Sequence, residues 1–324
     1  MTAAPLVSVV VASHERPRRL AVLLDALAAQ TAPTELWEVL VVHDSSGSAT
    51  DDVLRGHPLA GTGRLRWERF PESTGTAARM RNAGWRAARG RFVAFTDDDC
   101  RPDGGWLAAA LRVARDRPTA ILQGSTRPDP REHHLFGPTS FTHYMDPPTA
   151  ELEACNALYP REVLERVGGF DESIRAYGED VDLALRAKRA GAGHLAVPEM
   201  RMYHAIHPLG LRQRLALTTR CSELPAVVGR NPEFRWVPEH PLGVFNRPRH
   251  AWLVVALAGL ALTCRRPALG LLALPYLWTR LHPYGQTTGQ RLRRAHWLGP
   301  FALIDGAELL AFARGSIRHR TLFL

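Results

Sequence analysis

The chain has 324 residues, 45% of them hydrophobic, which is enough for one α/β domain plus an accessory segment. Gly and Pro are scattered and no internal repeat is present, so collagen-like and low-complexity architectures are excluded. The net charge of +9 is uneven: residues 1–210 hold 25 Lys+Arg against 27 Asp+Glu, whereas residues 211–324 hold 16 against 5.

Val7 to Ser13 is an apolar, β-branched run of the kind buried on both faces of a parallel sheet. The loop SHERP follows, and Leu20, Leu23, Leu24 and Leu27 then recur at helical spacing. Trp37 to Val42 reads as a second strand, ending in His43-Asp44-Ser45-Ser46, and this β-α-β order predicts a right-handed crossover. Residues 76–89 read as a helix and Arg91 to Thr96 as a buried strand that runs into Asp97-Asp98-Asp99. A helix at 104–116 and a short strand at Ala120 to Gly124 come next, then a long aperiodic loop over 125–154. Residues 160–168 predict a short helix, Gly178 to Ala190 a firmer one with Val181, Ala184, Leu185 and Lys188 on one face, and 194–203 a final strand or two. Residues 211–228 read as helical.

The four cysteines form no C-x-x-C pair, which argues against a zinc or disulfide framework and fits reduced thiols on a cytosolic face. Met1 to Leu6 shows no secretory signal.

Three features carry chemistry. Asp97-Asp98-Asp99 follows a buried strand, and in open α/β sheets ligands bind at the carboxyl ends of strands. Three adjacent carboxylates repel one another unless a cation sits among them, and such oxygen ligands suit Mg²⁺ or Mn²⁺ bridging diphosphate oxygens. Gly178-Glu179-Asp180 opens a helix, where carboxylates cap the free N–H groups or serve as a general base. Asp182, two residues on, points elsewhere and reads as structural. His204, with His207 behind it, stands at the end of the last strand as a candidate metal ligand.

The blocks VSVVVASHERPRRLAVLLDALAAQT, WEVLVVHDSS, RNAGWRAARGRFVAFTDDDCRPDGGWL and CNALYPREVLERVGGFDESIRAYGEDVDLALRAKRAGA, in this order over residues 6–207, resemble glycosyltransferase family two. The resemblance implies the GT-A fold: an α/β, Rossmann-like, mostly parallel central sheet flanked by helices, here with a C-terminal helical extension. It implies an inverting transfer from a nucleotide diphosphate sugar, UDP preferred over GDP and dTDP. Ser13, Glu15, Arg16 and Asp44 resemble the base- and ribose-binding positions, and Arg81 and Asn82 the stretch that approaches the diphosphate. Asp97 to Asp99 resembles the DxD element, with Asp97 or Asp98 toward the ribose and Asp99, with Asp97 beside it, toward Mn²⁺ or Mg²⁺. Glu179-Asp180 resembles the family's catalytic ED pair, with Asp180 as base. His204 resembles a late histidine of the metal shell. Asn156 and Gly168-Gly169-Phe170 resemble the acceptor side, although Phe170 reads equally as core.

One departure stands out. Residues 211–216 lack the Q-x-x-R-W element of processive members, and 290–294 (QRLRR) carry Arg294 in place of Trp, so single-sugar transfer is expected. A nucleotidyltransferase of similar fold needs a glycine-rich loop after the first strand and a catalytic lysine; the loop here has no glycine and the only lysine is Lys188. A dinucleotide-dependent oxidoreductase needs G-x-G-x-x-G, which is missing. A catalytically weak nucleotide-sugar-binding relative is countered by the presence of Asp99, Asp180 and His204 together.

Three segments are therefore expected: a nucleotide-sugar domain at 1–210, a helical connector at 211–250 and an apolar, basic helical segment at 251–324. Ala251 to Cys264 and Pro267 to Thr279 are apolar stretches split by Arg265-Arg266. Fourteen helical residues reach ~21 Å against the ~30 Å of a bilayer core, so neither spans alone. With Arg247, Arg249, Arg280, Arg291, Arg293 and Arg294 on the flanks and Trp252, Tyr276 and Trp278 near the outer ends, residues 251–279 read as a membrane-surface hairpin. The competing reading is a soluble helical pair packed on the catalytic domain or a second subunit. The expected setting is cytoplasmic, at the inner face of the cell membrane, with a sugar or lipid-linked acceptor. No nucleic-acid motif accompanies the basic segment, and the oligomeric state stays open.

Overall fold

The structure, a computed structural model, describes residues 4–148, 153–281 and 295–324. Arg291, Arg293, Arg294 and the 290–294 motif lie outside the described residues. The chain divides into two compact units, Met1–His134 with Thr142–Ile206, and Leu135–Phe141 with His207–Leu324. Residues 211–250 thus share one unit with 251–324 instead of standing apart as a connector.

In the first unit the strands are β1 (Val7–Ser13), β2 (Trp37–His43), β3 (Leu65–Arg69), β4 (Phe92–Asp97), β5 (Cys100–Pro102), β6 (Ala120–Pro128), β7 (Asn156–Pro160) and β8 (Gly193–His204). They form one sheet in the order β3-β2-β1-β4-β7-β6-β8-β5. β3, β2, β1 and β4 are mutually parallel and β6 runs parallel to β8, while β7 is antiparallel to both neighbours and β5 to β8. The sheet is mostly parallel, as the apolar runs predict. β3, β5 and β7 are additional to the expected strands. β7 occupies part of the segment expected on the acceptor side.

The strand period of two sends successive side chains to opposite faces. Val7, Val9 and Val11 of β1 join one core with Leu20, Leu23, Leu24 and Leu27 of α1 (Pro17–Ala28). After α2 (Ala49–Gly56) and the single turn α3 (Pro58–Gly61), α4 (Ala77–Ala87) covers the other face. There Val10 packs with Trp85 and with Val93 and Phe95 of β4. Past α5 (Trp106–Asp116) and α6 (Arg161–Val167), helix α7 (Glu179–Arg189) adds Leu183, Ala184 and Ala187 to that second core. Of the face expected for α7, Ala184 and Leu185 are buried, whereas Val181 and Lys188 are only half-buried.

The second unit is helical: α8 (Leu211–Thr218), α9 (Leu224–Arg230), α10 (Pro248–Ala261), α11 (Leu274–Leu281) and α12 (Leu298–His319). α12 packs against each of the other four. Gly315 permits the closest approach, since a Cβ there would sit 2.2 Å from the Ser222 carbonyl. Among the described residues no helix is long and apolar enough to cross a membrane.

Candidate active site

Parallel pairing brings three loops to one edge. Ala12 is in register with Val42 on one side and with Asp97 on the other, so the residues after β1, β2 and β4 emerge together. Ser13 Oγ donates to Asp98 Oδ2 at 2.8 Å, and the His14 N–H adds a bond at 3.2 Å. Arg16 Nη1 reaches both Asp98 Oδ1 (3.0 Å) and Asp99 Oδ2 (2.7 Å). Burial acts to lower the Arg16 pKa, but the carboxylates of Asp99 and Asp98 outweigh it and hold the guanidinium charged. Glu15, at φ +53°, bridges loops: its N–H donates to Ser45 Oγ and its carboxylate accepts from the Ser46 N–H at 2.6 Å. Asp44, buried, binds His14 Nδ1 at 2.8 Å and accepts from the Gly75 N–H at 2.9 Å.

Arg81 of α4 ties this edge to the start of α7. Its Nη2 meets Asp97 Oδ1 at 2.6 Å and its Nη1 meets Glu179 Oε1 at 2.8 Å. Gly178 caps α7 at φ +96°, a conformation costly for other residues, and so turns the Glu179-Asp180 pair into place. Asp180 is half-buried and accepts the Ala154 N–H at 3.3 Å. Burial, reinforced by the neighbouring Glu179 carboxylate, pushes its pKa up to about 7. Asp98 is raised to about 6, first by burial and then by Asp99. Asp182 bonds Arg186 Nε at 2.7 Å, a helix-internal role.

His204 closes the constellation. β5 pairs Cys100 with His204, which places both side chains on one face beside Asp99. His204 Nδ1 lies 2.8 Å from the Ala205 carbonyl, an acceptor only, so that nitrogen is assigned the proton. Burial outweighs the pull of Asp99 and lowers the imidazole's pKa, which keeps it neutral. The Nε2 lone pair then faces Asp99 Oδ1 at 3.4 Å. Two electron-rich atoms at that separation, with the Cys100 sulfur within 4.8 Å of a ligand atom of each residue, fit a divalent cation between them. Five carboxylates (Asp97, Asp98, Asp99, Glu179 and Asp180) against two guanidiniums leave the site short of positive charge.

Two expected nucleotide or acceptor contacts are otherwise engaged. Asn82 donates to the Phe170 carbonyl (2.9 Å) and Glu172 (2.8 Å) and accepts from Trp85 Nε1 and the Phe170 N–H, both at 2.9 Å. All four of its hydrogen-bonding capacities are used inside the fold, so it anchors the Gly168–Phe170 turn and is not oriented to a diphosphate. Gly169 must lack a Cβ, which would lie 2.5 Å from Asn82 Oδ1. Phe170 is core, edge-on to Phe95 at 5.1 Å. Asn156 is likewise structural, donating to the Ser125 and Met200 carbonyls at 2.9 Å each. His207 belongs to the second compact unit and pairs through its backbone with Phe141.

Three neighbours escape the sequence. His143 pairs with Glu153 (3.4 Å) and lies edge-on to the His204 ring at 4.7 Å. Burial pulls its pKa down, but Glu153 outweighs this and raises it to about 10, so His143 adds a cation. The His-rich composition of 125–154 was a signal for this loop but singled out no residue. Cys100, following the Asp triplet, carried none.

Comparison with known proteins gives a consistent picture. The family model described as glycosyl transferase family 2 matches residues 8–168. Glycosyltransferase AglE of Haloferax volcanii is 26% identical over 219 residues, covering 64% of this chain and 69% of AglE. Validoxylamine A glucosyltransferase of Streptomyces hygroscopicus subsp. jinggangensis is 29% identical over 224 residues, covering 58% of this chain and 52% of that enzyme. The chain thus spans only about half of the latter relative. Among solved structures, mannosyltransferase PcManGT from Pyrobaculum calidifontis, in complex with GDP-Man and Mn²⁺, aligns with a TM-score of 0.58 at 19% identity, covering 98% of this chain and 88% of that one. S. aureus TarS 1–349 in complex with UDP gives 0.51 at 15%, covering 97% and 92%. These two likenesses show a shared GT-A architecture.

Proposed function

Since the chain belongs to glycosyl transferase family 2 through its domain at residues 8–168 and is a glycosyltransferase, we propose that it moves one sugar, with inversion, from a nucleotide diphosphate donor to an acceptor hydroxyl in a Mn²⁺- or Mg²⁺-dependent reaction. The observation that carries this reading is the neutral His204 Nε2 facing Asp99 Oδ1 at 3.4 Å, at the edge where the β1, β2 and β4 loops meet.

Asp99 and His204 would hold the cation, with Asp97 and Cys100 beside them. A divalent ion held by these residues would supply positive charge to offset that developing on the departing diphosphate. Ser13, Glu15, Arg16 and Asp44 form the wall for the nucleoside, and Asp98 is held in it by Ser13 and Arg16. Arg81 fixes Glu179, and through it the start of α7, relative to Asp97. Asp180 takes the proton of the acceptor hydroxyl as its oxygen attacks the anomeric carbon and the carbon–phosphate oxygen bond breaks. A carboxylate with its pKa near 7 is matched to that task at neutral pH. UDP is the preferred donor nucleotide, the PcManGT complex placing GDP beside it as the alternative to test. The acceptor is assigned to a sugar or lipid-linked glycan of the cell envelope at the inner membrane face, a location supported by the apolar, basic second unit.

A screen of UDP-, GDP- and dTDP-sugars with and without Mn²⁺, with the product's anomeric configuration read by NMR, tests the reading. Metal-dependent transfer with inverted configuration is expected. A retained configuration, or full activity in EDTA, overturns it.

A further inference from the structure

The hairpin formed by α10, the turn at residues 262–266 and α11 with the 3-10 segment Pro267–Ala273 before it displays an exposed apolar outer face. Leu253, Ala256 and Gly259 are the inward positions of α10, buried within the unit. The outward positions of a soluble helix are ordinarily polar. Here Trp252, Val254, Leu257 and Leu260 are exposed, Leu257 by 57%, and the returning helical limb of the hairpin adds Leu271 at 65% and Trp278 at 64%. Single exposed leucines are unremarkable, but a contiguous series without one charged side chain between Ala251 and Cys264 is not.

Charge identifies what covers this face. Residues 248–281 contain no Asp or Glu. Of the five acids in residues 211–324, Asp305 and Glu308 are buried and neutralised internally by Arg249, with Arg280 on Asp305. The tip of the hairpin carries Arg265 and Arg266, both exposed. A second copy of the chain would bring like charge against like charge; an anionic headgroup layer supplies the opposite sign.

We propose that this hairpin docks the protein on an anionic lipid surface, lying in the plane of one leaflet instead of plunging into it. The orientation follows from the distribution of polar ends. Arg265-Arg266 at the tip belong at headgroup depth, as does Arg247 where the hairpin begins, so both ends stay at the interface while the apolar face between them enters the acyl boundary. The indoles of Trp252 and Trp278 occupy the depth where interfacial aromatics concentrate. The charge cluster beneath the hairpin, Tyr276 Oη to Asp305 at 2.8 Å and Arg249 Nε to Asp305 at 3.0 Å, keeps the inward side rigid so that the apolar side chains stay presented. This deepens the membrane location given above and is independent of the transfer chemistry.

The test is flotation of the full chain with phosphatidylglycerol vesicles and with phosphatidylcholine vesicles, without donor or acceptor, at low and high salt. The wild type should float with phosphatidylglycerol and remain bound in high salt. Leu257→Glu with Leu271→Glu should lower partition by about tenfold or more at unchanged thermal midpoint, since both side chains are exposed. Arg265→Glu with Arg266→Glu should lower binding by about tenfold, at low salt only. Absence of flotation, complete release by salt, or a leucine variant that turns a dimer into a monomer while its vesicle partition is unchanged each overturns the proposal. Transfer activity toward a soluble acceptor, measured on the same leucine variant, separates this result from failure of the catalytic reading.

Discussion

Two buried groups of carboxylate and imidazole exist among the described residues, Asp99-Cys100-His204 and His250-Asp305-Glu308, each with potential ligand atoms within 4.8 Å of one another. By residue type both pass for metal sites; by charge they are opposites. Around Asp99 the carboxylates outnumber the guanidiniums, and His204 turns a lone pair toward the acid. Around Asp305 and Glu308 stand Arg214, Arg249 and Arg280, and His250 Nε2 lies at hydrogen-bond distance, 3.0 Å, from Glu308. A cation entering the second cluster would meet three guanidiniums at once. Similar donor groups thus occur in both clusters, and the surrounding charge balance separates one that suits a cation from one already closed by arginine.

The difference can be broken most sharply by mutation. Asp180→Asn should lower kcat by roughly 10²–10⁴-fold with donor affinity nearly constant, by initial rates and equilibrium binding. Glu308→Gln should leave the rate constant for transfer to a soluble acceptor unaffected. Stability should respond in reverse. Asp305→Asn takes the buried carboxylate from Arg280 and one of the two from Arg249, and should cost about 3–5 kcal/mol in urea unfolding of the helical unit. Asp99→Asn removes one of several like charges and should leave the midpoint of the first unit unchanged or raised. A next tier tests positioning: Arg81→Lys cannot serve Asp97 and Glu179 with one planar fork, and kcat should fall by about ten- to a hundredfold.

The smallest effect is on pH. Asp180 and Asp98 have pKa values pushed above the ordinary carboxylate range, to about 7 and about 6, so ionising them costs stability as pH rises from about 4 to about 7. Glu308 is the converse: burial would raise its pKa, but Arg249 and His250 outweigh this and hold it well below the ordinary range. Its contribution is present above the ordinary carboxylate value and is lost only in stronger acid. Metal-free melting curves should therefore show the first unit relaxing toward neutral pH and the helical unit failing in acid. Transfer should rise through a limb near pH 7 that disappears in Asp180→Asn.

The sequence exposes the parts of this fold that repeat a local period. The β-branched runs of β1, β2 and β4 and the leucine spacing of α1 are visible because burial on both faces of a strand, or one face of a helix, leaves a regular pattern. β5 is three residues long and β7 is defined by antiparallel pairing to distant strands, so neither leaves such a pattern. The site is legible as an acid triplet at a strand end, an acidic pair at a helix start and a late histidine. Its wiring is not. Arg81 meets Glu179 across 98 residues and Asn82 meets Phe170 across 88, contacts that depend on how α4 packs on the sheet. The same holds for the Asp305 cluster, assembled from α8, α10, α11 and α12, in which each arginine alone looks like a surface charge.

The central claim is that Asp99 and His204 hold a divalent cation while the His250-Asp305-Glu308 cluster does not. Titration of the metal-free chain with Mn²⁺ in the presence of UDP, followed by the EPR signal of free Mn²⁺, tests it directly. The account predicts saturable uptake by the wild type and by Glu308→Gln, weakened by about ten- to a hundredfold or more in Asp99→Asn and His204→Ala. Undiminished Mn²⁺ uptake by Asp99→Asn, or loss of uptake in Glu308→Gln alone, would contradict it.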